Sequence, residues 1–125
     1  VKRYVSAAMI DVLLVLVFAA SGRRSHEEAL TLAGLATTAW PFLTGLAAGW
    51  LVTWQLYRDK FDPLSVFPTG VVAWASTLVV GMLLRVISGQ GTAFSFILVA
   101  ASFLALFLIG WRALNRTVRA RRPLA

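Results

Sequence analysis

Apolar residues run almost unbroken through four stretches, at about 4–21, 29–57, 69–88 and 92–114, with short polar or glycine-containing breaks between them. A helix needs about 20 apolar residues to cross the ~30 Å hydrocarbon core of a bilayer, so the pattern predicts four transmembrane helices. The breaks are Gly22-Arg23-Arg24-Ser25-His26-Glu27-Glu28, Arg58-Asp59-Lys60-Phe61-Asp62-Pro63 and the tight turn Gly89-Gln90-Gly91, and a basic tail occupies 115–125. The second stretch is longer than a bilayer requires, so its first turn is expected in the interface. The expected fold is an all-α, integral membrane four-helix bundle in one domain over 1–125.

Within the apolar stretches, small and polar residues recur at helical spacing. Gly70, Trp74, Thr77, Gly81, Arg85 and Ser88 lie three or four residues apart and share one face of the third helix. On the second helix Gly34, Thr37, Thr38, Pro41, Thr44, Gly45, Ala48 and Gly49 gather on one side, and small residues at that spacing let helix backbones approach closely. Pro41, Gly45, Gly49, Gly70, Trp74 and Gly81 are therefore the candidates for helix interfaces. Pro41 also lacks an amide donor, so the carbonyl near Thr37 is released to bond elsewhere.

Composition agrees with a bilayer environment. Hydrophobic residues make up 59% of the chain and charged residues 14%, against roughly 25% charged in a soluble domain. The net charge is +7, but the basic residues flank the apolar stretches, where topology and anionic lipid headgroups account for them better than nucleic acid does. With both termini cytoplasmic, that side holds Lys2, Arg3, Arg58, Lys60, Arg112, Arg116, Arg119, Arg121 and Arg122, nine residues against Arg23, Arg24 and Arg85. The expected location is thus a bacterial plasma membrane with cytoplasmic termini. The first stretch lacks a small-residue cleavage signal and is read as a retained span. Trp50, Trp54 and Trp111 fit an interfacial belt, whereas Trp40 and Trp74 lie deeper.

The absence of cysteine and the single histidine exclude thiolate chemistry and a multi-histidine metal site within one chain; no metal or cofactor is expected. Asp11, near the centre of the first stretch, is the residue that most invites a role, because a carboxylate at that depth is costly. Counting from the ends of the runs puts Asp11, Thr44 and Thr77 in one layer, which suggests a proton or cation site lined by hydroxyls, or simply a hydrogen-bonded tie between helices. A second group lies at the opposite rim from the termini: Arg23, Arg24, His26 and, on the inward stripe of the third helix, Arg85. Forked hydrogen bonds from two such arginines suit a carboxylate or phosphate; pairing of Arg85 with Glu27 or Glu28, or snorkelling, is the plainer alternative. His26 beside two glutamates is a candidate pH-sensitive group.

Shifting the chain by 61 positions pairs Arg24 with Arg85, Phe42 with Phe103, Gly49 with Gly110 and Trp50 with Trp111. This weak echo would describe two tandem helical hairpins in the same orientation.

Asp11, Gly22-Arg23-Arg24-Ser25-His26, Trp40-Pro41-Phe42, Pro68-Thr69-Gly70, Trp74, Thr77, Gly81, Arg85 and Gly89-Gln90-Gly91-Thr92 together resemble the small bacterial membrane family known as domain of unknown function 3054. The resemblance covers nearly the whole chain and implies a four-span protein without implying an activity. The function expected from the residues is binding or transport of a small solute, ion or anionic lipid headgroup through a polar bundle interior, with passage requiring a homo-oligomer. The alternative is a non-catalytic accessory subunit of a larger membrane complex. An enzyme is the least supported class, since Asp11 and His26 lie 15 residues apart, roughly 22 Å along a continuous helix.

Overall fold

The computed structural model describes residues 2–25 and 28–121; His26, Glu27 and Arg122 lie outside them. Helices α1 (Lys2–Ser25), α2 (Leu32–Tyr57) and α3 (Val71–Ile87) are followed by α4 (Phe94–Leu104), which passes through a wide turn at Ala105–Ile109 into α5 (Gly110–Arg121). α4 and α5 form one continuous span, so four helices are long and apolar enough to cross a membrane. The chain is an all-α four-helix membrane bundle.

The boundaries shift from the sequence expectation for local reasons. α2 starts at Leu32, not near 29, because Thr31 is extended (φ −91°, ψ 159°) and its side chain accepts from the Gly34 amide as an N-cap. The fourth span continues past residue 114 to Arg121, so most of the basic tail is helix. α3 ends in a Schellman motif: Gln90 N–H donates to Arg85 O (2.7 Å) and Gly89 N–H to Val86 O (3.1 Å). Gly89 takes the left-handed conformation this requires (φ +78°).

The closest helix pair is α2 with α3. A Cβ on Gly45 would lie 2.7 Å from Ser76 O and 2.9 Å from Thr77 Cα, and one on Gly49 would lie 3.1 Å from Ala73 Cα. The backbones therefore meet where both side chains are missing, and Ser76 Oγ donates to Gly45 O across the seam (2.7 Å). Gly81 leaves room for the Phe42 ring, whose Cδ1 would sit 2.5 Å from an added Cβ.

Phe42 is fully buried and meets Phe18 edge-on, with ring centroids 5.1 Å apart, and Phe96 at 6.4 Å. Val15, Leu46, Ala73, Ala100, Leu104 and Leu108 continue this core. The middle of the bundle is thus filled by apolar side chains. Pro41 is buried inside α2, and the Thr37 carbonyl four residues before it accepts from Gln90 Nε2 (3.2 Å) in the turn after α3. Trp74 donates its indole N–H to Ala101 O on α4 (2.9 Å), while Trp40 lies 42% exposed on the outer surface.

Candidate functional site

Two polar centres sit at different levels of the bundle. Twelve residues up α1 from Asp11 lies Arg23, and twelve residues down α2 from Trp50 lies Thr38; Asp11 bonds Trp50 and Arg23 bonds Thr38. Antiparallel helices of equal rise keep that register, which separates the two centres by about 18 Å.

The first centre is a sealed ion pair. Asp11 and Arg112 are both fully buried, and the guanidinium grips the carboxylate with both arms: Nη1 to Oδ1 at 2.9 Å and Nη2 to Oδ2 at 2.7 Å. Each carboxylate oxygen also accepts an indole N–H, Oδ1 from Trp111 and Oδ2 from Trp50, both at 2.9 Å. Two further arginine donors reach Pro63 O (Nε, 3.0 Å) and Leu108 O (Nη1, 2.9 Å). Gly70 lies against the arginine stem, since a Cβ there would stand 3.0 Å from Arg112 Cδ. A buried ion pair needs this degree of satisfaction to offset the desolvation of its charges.

That arrangement differs from the layer expected for Asp11. Thr44 is exposed and donates to its own helix at Trp40 O (2.8 Å). Thr77 is buried, and its Oγ1 has no hydrogen-bond partner. Neither hydroxyl meets Asp11, because α2 places Trp50, six residues beyond Thr44, at the level of the carboxylate. Trp50 and Trp111 are not belt residues turned to the headgroups; their N–H groups face inward. Arg112 is likewise not a surface charge. Its interior position follows from the helical continuation to Arg121, which puts it two turns inside the end of the span.

The second centre is a pocket of about 500 Å³ at the other end of the bundle, lined by Arg23, Glu28, Thr37, Thr38, Arg85 and Gln90 among others. The Gly89-Gln90-Gly91 turn builds one wall. Arg85 donates from Nε to Gly91 O (2.9 Å) and from Nη1 to Gln90 Oε1 (3.1 Å), and its guanidinium lies 4.7 Å from the Phe96 ring centre. Arg23 donates to Ala29 O (Nε, 2.8 Å) and to Thr38 Oγ1 (Nη1, 3.0 Å), and Glu28 approaches it at 3.6 Å. Among the described residues no carboxylate lies within ion-pair distance of Arg85, and Nη2 of each arginine carries no hydrogen bond. Arg24 is exposed and does not line the pocket. His26 falls outside the described residues.

Among the described residues the packed rings of Phe18, Phe42 and Phe96 stand between the two centres. Among the described residues no group of three or more His, Asp or Glu side chains is placed to hold a metal ion. A family model described as "Protein of unknown function (DUF3054)" matches residues 8–115. Neither the curated proteins nor the solved structures contain a match to the chain.

Proposed function

The chain belongs to the family Protein of unknown function (DUF3054), and we propose that in it the Arg23–Arg85 pocket binds the anionic headgroup of a membrane component. The observation that carries this reading is Arg85: a guanidinium held in place by Gln90, Gly91 and Phe96, facing a pocket, with no carboxylate of the described residues within ion-pair distance. Glu28 lies within ion-pair distance of Arg23 only and acts on Arg85 at longer range from the same pocket wall. A phosphate or carboxylate entering the pocket would meet the two Nη2 groups and the hydroxyl-bearing residues Thr37 and Thr38. Binding, not passage, is the role the packed Phe18–Phe42–Phe96 core supports. With Arg112 buried against Asp11, eight basic residues remain at the end of the termini against three at the pocket end, which favours a plasma membrane location with the pocket on the outer face.

The test is native mass spectrometry of the purified protein from neutral detergent doped equally with phosphatidylglycerol and phosphatidylcholine. A hydrogen bond to a charged group contributes about 1.5–3 kcal/mol, so Arg85→Gln should lower the preference for phosphatidylglycerol by roughly 10- to 100-fold. Glu28→Gln should leave the preference intact or raise it. Equal retention of the two lipids by wild type, or an unchanged preference in Arg85→Gln, would refute the assignment.

A further inference from the structure

Directly below the headgroup pocket, between α1 and α4, an apolar groove of about 370 Å³ runs down the outside of the bundle. Phe18 and Ser21 form its α1 side, and Ser95, Val99 and Phe103 its α4 side. Gly22, Ala93 and Phe96 line both the groove and the pocket, so the two are one continuous depression with a cationic head and an apolar stem. Val99 is 49% and Phe103 45% exposed, and Phe94 at the top of α4 is 75% exposed. Within a four-span membrane protein, this face meets lipid.

Resting on the headgroup reading above, we propose that the ligand is a whole anionic phospholipid, with its phosphate at Arg85 and one acyl chain laid in the α1–α4 groove. Length supports this choice. From Phe94 to Phe103 α4 rises about 14 Å, close to half of the ~30 Å hydrocarbon core and so to the depth one leaflet's chains occupy. Charge supports it too, since two guanidiniums, Arg23 and Arg85, face one nearby carboxylate, Glu28, at the end of the groove that coincides with the helix ends and thus with the headgroup layer. A soluble anion would use the pocket and leave the groove without purpose. A phospholipid uses both, and Phe96 serves at the junction, with its face against Arg85 and its ring between Phe18 and Phe42.

Two groove-filling variants, Val99→Trp and Ser95→Trp, separate the chain from the headgroup. Both positions are exposed, so the added ring enters the groove without displacing core side chains. Retention of dipalmitoyl- and dihexanoyl-phosphatidylglycerol is compared by native mass spectrometry, with helicity checked by circular dichroism. Wild type should retain the long-chain lipid at least tenfold better than the short-chain one. The variants should erase that difference while still preferring phosphatidylglycerol to phosphatidylcholine. Wild-type retention of long-chain lipid in both variants would overturn the chain assignment and leave the headgroup reading standing. An unchanged headgroup preference in Arg85→Gln would remove the headgroup reading itself, and the present inference with it. A homodimer that Val99→Trp abolishes, with lipid retention unchanged, would overturn the proposal and give the groove to a second copy of the chain.

Discussion

Replacing Asp11 by Asn removes one charge from the ion pair and almost no volume, and it isolates what the pair contributes to the fold. In the native bundle both carboxylate oxygens are engaged, by two arms of Arg112 and two indole N–H groups, with no solvent access to either charged group. The Asn amide retains one acceptor oxygen and presents an NH2 where Arg112 also donates. One arginine arm and one indole therefore lose their acceptor, and a buried guanidinium loses its counter-charge. Breaking one side of a buried pair costs about 3–5 kcal/mol, chiefly because the remaining charge is left uncompensated.

Arg112→Gln alone should cost a similar amount. The double variant Asp11→Asn/Arg112→Gln restores a neutral, hydrogen-bonding couple, and should be less destabilised than the sum of its single variants by at least ~2 kcal/mol. Reversible unfolding of the purified protein in mixed micelles titrated with dodecyl sulfate supplies the cycle, with Trp50 and Trp111 as fluorescence reporters at the site. A coupling energy under ~0.5 kcal/mol, or an Asp11→Asn protein as stable as wild type, would show that the pair is not what holds this end of the bundle.

Two further substitutions probe the α2–α3 seam. Gly45→Val places a Cβ 2.7 Å from a backbone oxygen that cannot swing aside, so the helices must part; overpacking of this kind costs about 1–3 kcal/mol, read as a lower dodecyl sulfate midpoint. Thr77→Val has the opposite sign: its hydroxyl is buried without a partner, and replacing it with a methyl of nearly the same size should leave stability unchanged or raise it by up to ~1 kcal/mol. A clear loss in Thr77→Val would mean that the hydroxyl has a partner in the membrane.

The four spans were legible because a bilayer imposes both a length and an apolar composition, and the apolar runs carry both. Helix spacing puts Gly45 and Gly49 on one face of α2 and Gly81 on the polar stripe of α3; in the structure an added Cβ at these positions would meet α3 or the Phe42 ring. Pro41 also pointed correctly to a released Thr37 carbonyl, though nothing in the sequence named Gln90 as its partner. In the sequence Arg112 reads as one more topology charge, because it stands near Arg116, Arg119 and Arg121.

A signal for it existed. An acid inside a span calls for a base at the same depth, and only Arg85 and Arg112 lie within the apolar windows. Choosing between them required the true end of the fourth helix, which the apolar run ending near 114 understates by seven residues. The level of Asp11 is not fixed by counting from run edges: the centre of α2 (Leu32–Tyr57) still falls near Thr44, but α1 and α2 are staggered so that Asp11 meets Trp50 and Arg23 meets Thr38.

The weak internal echo gains a meaning from the same geometry. Its Gly-Trp pair, residues 49–50 against 110–111, brings two indoles to the two oxygens of Asp11, one from α2 and one from α5. A single carboxylate on α1 thereby ties together the second and fourth spans, and through Arg112 it also fastens the loop at Pro63. Among the described residues the other end has no comparable knot: Arg23 and Arg85 keep donors to spare there, and α1 and α4 leave a groove between them. Local stability follows the density of such contacts, so the pocket end is expected to be the more adaptable of the two. The apolar core between them predicts a separation of effects: charge changes at Asp11 should act on the fold, whereas on the proposed headgroup reading charge changes at Arg85 should act on binding.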